Sequence, residues 1–353
     1  TKKGKGMNQA ENDPINYHGV KPNGKNKPVV EKNEVEAPSF QSVFGALAIE
    51  IARNQNETVC VTAAMREGTG LAPYAKEFPE RYYDVGIAEG HAVTFAGGLA
   101  TEKTRPILAI YSTFLQRAFD HIVHDIAIQN LPLIYCLDRS GLAGEDGPTH
   151  HGTLDIAYMR CIQNMVVTAP KNGNEFRHLL YTALNQSNKP FSIRYPKASS
   201  VEFDEKGQAE LLPLGSWEVL NNGSDVAILA VGPIVYTALD VANELAVNNI
   251  KCEVVNCRFI KPMDTQYLET LVNNFSTVIT IEEGNIVGGF GDGVSSWLLE
   301  NGFKGTLKRL GLPDKFVEHG SRKELLNLVG LTQSHISNTV KKQLQKQADN
   351  KPE

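Results

Sequence analysis

The chain has 353 residues, more than one typical core needs and a good match to two domains of about 150 residues each. Its 41% apolar and 21% charged content is ordinary for a globular protein, and a net charge of -5 without a basic patch argues against nucleic acid as a partner. No apolar run reaches membrane-spanning length, so no membrane partner is expected, and the opening TKKGKGMNQAENDP lacks the apolar stretch of a signal peptide.

Thr1 runs directly into KKGKG, which reads as the interior of a longer protein cut at its N-terminus. Residues 1–38 are polar and rich in Lys, Asn, Gly and Pro, as expected for a linker or surface excursion. The first folded block starts near Ser39, a good N-cap for a helix with apolar spacing at Phe40, Val43, Phe44, Leu47 and Ile51. Continuous apolar runs at 58–64, 105–112, 131–138, 164–170 and 190–196 predict strands covered on both faces. Helical patterns at 86–101, 115–129 and 173–186 lie between them. Such alternation predicts a parallel sheet with right-handed crossovers.

A polar connection at 198–216 precedes a second series, with strands at 225–232, 250–257, 277–283 and 305–312. Its helices fall near 234–248, 264–274, 288–300 and 332–346. The expected fold class is therefore α/β, with two doubly wound domains over 39–200 and 215–345. Five cysteines (Cys60, Cys136, Cys161, Cys252 and Cys257) contain no CxxC pair, which disfavours structural zinc and fits a reducing compartment.

Three stretches carry candidate chemistry. In DVGIAEGHAVTFAGGLA, Glu89 opens a helix with no other charge for a dozen residues. It is either a carboxylate favoured by the helix N-terminus or a shielded group whose pKa is raised for proton sharing. Tyr111, Phe114 and Arg117 stand at the turn after a strand, where an aromatic can stack on a heterocycle and an Arg can fork onto phosphate. The loop DRSGLAGEDGPTHHGTLD, Asp138 to Asp155, gathers Arg139, Asp146, His150 and His151 at another strand's C-terminal end, where α/β sheets bind ligands. His150 and His151 are adjacent and lack a third ligand, so no metal is assigned to this chain. IEEGNIVGGFGDG does not fit GxGxxG and reads as a strand, tight turn and helix.

Together with TKKGKG, AENDPINYHG and IRYP, these stretches resemble the 1-deoxy-D-xylulose-5-phosphate synthase family, thiamine-diphosphate enzymes of the transketolase superfamily. The matches keep family order over nearly the whole chain. The resemblance implies that Glu89 hydrogen-bonds the cofactor's aminopyrimidine and, free of any ion pair, promotes loss of the thiazolium proton. It implies that Phe114 and Met7 contact the cofactor and that His18 and His150 serve the reacting centre. Tyr111, Arg117, Arg139, Asp146, Arg194 and Lys197 then line the substrate pocket. Lys197 replaces the family's usual second Arg and loses its bidentate fork. Met7 stands where Tyr is common.

The implied reaction joins pyruvate to D-glyceraldehyde 3-phosphate with loss of CO2. The implied setting is a cytoplasmic homodimer in isoprenoid and thiamine precursor supply. The family's GDG motif and Asn-rich segment, which hold Mg2+ and the diphosphate, are absent, since the GDG string at 291–293 lies in the last domain. The chain then reads as a synthase lacking most of its N-terminal domain. The other readings are a beta-type subunit of a split thiamine-diphosphate enzyme and a non-catalytic remnant of the superfamily.

Overall fold

The computed structural model describes residues 4–13, 17 and 37–349. The chain divides into a short unit, Thr1–Glu36, and a main body, Ala37–Glu353. In the short unit the described residues form one helix, Asn8–Asn12, preceded by Met7.

The main body is built on strands β1 (Thr58–Thr62), β2 (Tyr82–Asp84), β3 (Arg105–Tyr111), β4 (Ile134–Asp138), β5 (Val166–Thr168) and β6 (Phe191–Arg194), followed by β7 (Glu218–Asn221), β8 (Val226–Ala230), β9 (Cys252–Asn256), β10 (Phe259–Lys261), β11 (Thr277–Asn285) and β12 (Thr306–Leu312). One sheet runs β10-β5-β6-β4-β3-β1-β2 and the other β12-β11-β8-β9-β7. The central strands β1, β4, β6 and β8 are buried at every position, the burial their continuous apolar runs predict.

Both sheets depart from the expected all-parallel pattern at an edge. β10 is antiparallel to β5, and β7 is antiparallel to β9. β10 comes from the second half of the sequence yet extends the first sheet, so the two series are joined by a shared strand. Three further short helices, Ala72–Glu77, Asp155–Cys161 and Arg322–Leu328, lie where the sequence reading had loops.

The helix Phe40–Asn54 buries Phe40, Val43, Phe44, Leu47 and Ile51, and Ser39 caps it by accepting from Ser42 N at 3.1 Å. The segment expected as one helix over 115–129 is instead a relay. An α-turn, Ser112–Leu115, leads into a 3-10 turn, a further short turn and a π-helical stretch, Ile122–Ala127. The wide π turn buries Ile122, Ile126 and Ala127 together against the core.

Chain order reverses at β1. β2 lies on one side of it and β3 on the other. In open α/β sheets this switch point opens a crevice at the strands' C-terminal ends. Glu89 follows β2, Tyr111 ends β3, and Arg139 follows β4, so the crevice collects them from strands on both sides of β1.

Candidate functional site

Glu89 is the first residue of the helix Glu89–Thr101, which has no side-chain N-cap. Its carboxylate is buried, with 4% of the side chain exposed. Gly90 stands beside it, and a Cβ there would force the His121 ring to shift. Arg117 Nη1 forms an ion pair with Glu89 Oε1. This corrects the expectation of a carboxylate free of ion pairs. The two residues are 28 positions apart, and the relay after β3 brings the guanidinium back over the helix N-terminus. Arg117 remains 55% exposed and so retains room to move.

Aromatic rings extend the site from that pair. The Arg117 guanidinium carbon lies over the Phe114 ring at 4.8 Å. Phe114 stacks on Tyr111 at 5.7 Å and meets His150 edge-on at 5.4 Å. The Arg139 guanidinium carbon sits 3.8 Å over Tyr111. The main body thus brings Glu89, Arg117, Phe114, Tyr111, Arg139 and His150 into one ladder. Burial raises the Tyr111 hydroxyl pKa, against the pull of Arg139. His150 Nδ1 lies 2.9 Å from Thr149 Oγ1.

Arg139 has a φ of 58°, a left-handed conformation uncommon outside Gly, Asn and Asp. Its Nη1 donates to Gly68 O at 2.9 Å. Gly68 has no alternative there, since a Cβ would occupy the position of the Tyr111 hydroxyl. Asp138 ends β4 beneath Arg139, with Oδ2 at 3.4 Å from Arg139 Nη1. Burial pushes the Asp138 carboxyl up to about 7, although Arg139 and Lys197 pull it down. Sequence reasoning left Asp138 without a role. The available signal was a carboxylate closing a wholly apolar strand.

The remaining candidates behave differently. Arg194 is buried; its Nε donates to Asp155 at 2.9 Å and its Nη2 to Glu283 O at 2.8 Å. That corrects its expected place among phosphate ligands, because its charge is already matched inside the core. Lys197 Nζ donates to Asp146 Oδ2 at 2.6 Å, so these two expected substrate contacts engage each other. Burial acts to raise the Asp146 carboxyl, but the Lys197 hydrogen bond and charge outweigh it and hold it below its ordinary value. Met7 is exposed in the short unit. His18 lies outside the described residues.

A cavity of about 590 Å3 is lined by Ser112, Thr113, Gln116, His151, Tyr158 and Phe316 among others. None of the ladder residues lines it. No cluster of three His, Cys, Asp or Glu side chains suited to a metal occurs among the described residues. No helix among them is long and apolar enough to cross a membrane.

These two α/β sheets, with a buried glutamate at the switch-point crevice, are those of a transketolase-type protein. The transketolase pyrimidine binding domain family matches residues 36–201, and the transketolase C-terminal domain family matches residues 215–336. The chain belongs to the transketolase family. Within that family it is 48% identical over 345 residues to 1-deoxy-D-xylulose-5-phosphate synthase of Aquifex aeolicus, a match covering 97% of this chain and 54% of that protein. It is 47% identical to the synthase of Syntrophus aciditrophicus, over 97% of this chain and 53% of that protein. The chain therefore spans about half the length of the curated relatives it matches.

Among solved structures, a split-gene transketolase described as an inactive beta4 tetramer superposes with a TM-score of 0.77 at 28% identity, covering 88% of this chain and 99% of that one. A transketolase mutant from Pichia stipitis shares the fold, with a TM-score of 0.72 at 17% identity over 88% of this chain and 46% of that one.

Proposed function

We propose that this chain provides the pyrimidine-binding and C-terminal parts of a 1-deoxy-D-xylulose-5-phosphate synthase, which condenses pyruvate with D-glyceraldehyde 3-phosphate and releases CO2. The observation that carries this reading is the ladder from Glu89 to Arg139, in a chain nearly half identical to named synthases. The implied cofactor is thiamine diphosphate, and its pyrimidine end fits the residues present. A planar group bearing N–H donors, the Arg117 guanidinium, already lies over Phe114 and bonds Glu89. An aminopyrimidine needs the same two contacts. The diphosphate and Mg2+ end has no such fit, because no acidic metal cluster occurs among the described residues. Those groups belong on a region matching the other half of the relatives, on the same chain or a separate one.

The bound cofactor supplies a carbon nucleophile and an electron sink. Glu89 holds a proton at the pyrimidine ring nitrogen, with Arg117 swinging aside to admit the ring. Phe114 fixes the ring plane by stacking. Arg139, rigid on Tyr111 and Gly68, pairs with the substrate phosphate. His150, tied through Nδ1 to Thr149, keeps its other ring nitrogen for proton exchange with the substrate oxygen. The proposed setting is a cytoplasmic homodimer.

A second reading has one specific observation behind it. That observation is the fold it shares with a split-gene transketolase chain at 28% identity, and the reading is a subunit that acts with a separate partner. One experiment tests both. The chain is combined in trans with a separately produced half carrying the metal and diphosphate motifs of the relatives. Pyruvate-dependent CO2 release that requires D-glyceraldehyde 3-phosphate supports the synthase. Ketol transfer between sugar phosphates without CO2 supports the split transketolase. Neither activity in a properly assembled complex overturns both.

A further inference from the structure

Asp138 is the buried titratable group at the site that the proposed chemistry leaves unused. Its side chain is 1% exposed at the C-terminal end of β4. Among the described residues Oδ2 has no hydrogen-bond partner, and its one ion-pair contact among them is Arg139 Nη1 at 3.4 Å. Arg139 is held on its other sides by the Tyr111 ring and by Gly68 O. A guanidinium so confined has little rotational freedom, so its attraction for an anion depends on the charge of its neighbours. Asp138 is the neighbour beneath it.

We infer that Asp138 is a positioning residue whose charge state sets how tightly Arg139 holds an anionic substrate group. The inference rests on the reading of Arg139 as the phosphate-binding cation. Ionised, Asp138 neutralises Arg139 from below and repels an incoming anion. Protonated, it leaves the guanidinium uncompensated, and the anion binds more tightly. Burial places this switch near neutral pH, about 7. The groups facing Asp138 are Arg139 and Lys197, which favour its ionised form, and Tyr195, Tyr111 and Cys136, which are neutral at that pH. Asp146 and His150 act on the same cluster from the loop above.

The test uses the whole chain with inorganic sulfate as probe, because sulfate keeps its charge from pH 6 to pH 8 whereas phosphate does not. Binding is followed by the NMR signals of Tyr111 and Arg139, and the 13C signal of the Asp138 carboxyl is titrated in parallel. The expected result is sulfate binding about tenfold tighter at pH 6 than at pH 8, equivalent to one unit of proton linkage. The Asp138 signal then titrates near neutrality and moves upward when sulfate is bound. Asp138→Asn flattens the pH dependence at the tighter limit, and His150→Gln preserves it.

An Asp138 midpoint in the ordinary aspartate range near 3.9 overturns the inference in the unaltered chain, whether or not the Asn variant folds. So does a pH step that survives in Asp138→Asn or vanishes in His150→Gln. Arg139→Ala separates the two levels of the argument. If it abolishes sulfate binding while Asp138→Asn keeps the step, only the inference falls. If it leaves binding intact, the assignment of Arg139 falls as well.

Discussion

Glu89 and Glu282 are both buried glutamates at helix N-termini, one at the crevice of the first sheet and one at the matching end of the second. Glu282 projects from β11 and accepts from Phe290 N at 2.7 Å and Gly291 N at 2.8 Å, closing the start of the helix Phe290–Glu300. Gly289 makes the approach possible, since a Cβ there would collide with the Glu282 carboxylate. Both oxygens are satisfied by backbone that cannot leave. Glu89 has a half-exposed arginine instead. Two carboxylates with similar burial thus have opposite availability: one is locked into the scaffold, and the other has a partner a ligand can displace.

The sharpest way to break this comparison is to make the same substitution at both sites within the complete enzyme. Glu89→Gln keeps size and burial but cannot exchange a proton with a ring nitrogen. It should lower kcat by about 10²–10⁴-fold, the range for a positioned acid or base, with a nearly unchanged Tm. Steady-state kinetics and calorimetry together check it. If Glu89→Gln is fully active and Glu89→Ala unfolds, Glu89 is only a structural group at a helix start.

Arg194→Ala addresses the scaffold side. It strands Asp155 as an unpaired buried carboxylate, for which a loss of about 3–5 kcal/mol is expected in denaturant unfolding. Normal stability with a weakened KM for the phosphorylated aldehyde would return Arg194 to the substrate pocket.

Glu282→Gln should leave kcat unchanged and alter the pH profile of stability. Burial raises the Glu282 carboxyl to about 7, against its two backbone hydrogen bonds. The folded protein therefore holds this proton more tightly than the unfolded chain, whose glutamate titrates near 4.3. The associated stability is complete below that value and is lost as pH rises through about 7. Relative to the Gln variant, the unaltered protein should lose about 1–3 kcal/mol between pH 5 and pH 8. A stability difference that does not vary with pH would show that Glu282 is not shifted.

The legible and illegible parts of the sequence divide along similar physical lines. β1, β4, β6 and β8 were readable because strands covered on both faces need unbroken apolar runs. β2, β7 and β10 were missed because edge strands of three or four residues are too short for such a run, and β2 and β7 are partly exposed besides. The clustering of Tyr111, Phe114 and Arg139 could be anticipated from their places at strand ends. The pairing of Arg117 with Glu89 could not, because Arg117 sits in a 3-10 turn that interrupts the regular helical period the sequence pattern suggests. Nor could the burial of Arg194, since its partner Asp155 stands 39 residues away on a helix the sequence pattern did not reveal.

Lys197 gives the smallest expected effect and separates a surface pair from a ligand contact. Its ammonium and Asp146 are 40% and 38% exposed, and exposed pairs of this kind contribute about 0.2–1 kcal/mol. Lys197→Ala should therefore destabilise the protein by less than about 1 kcal/mol near neutral pH. Asp146 is held below its ordinary value, so this contribution exists above the unfolded aspartate pKa and fades as pH falls through the depressed one. The KM for D-glyceraldehyde 3-phosphate should rise only about two- to fivefold, because Lys197 lacks the fork that Arg139 offers and is already engaged by Asp146. A rise comparable to that of Arg139→Ala would mean that Lys197 releases Asp146 and binds the phosphate itself. Asp146→Asn would then lower that KM by freeing the ammonium, whereas a bystander pair would leave it unchanged.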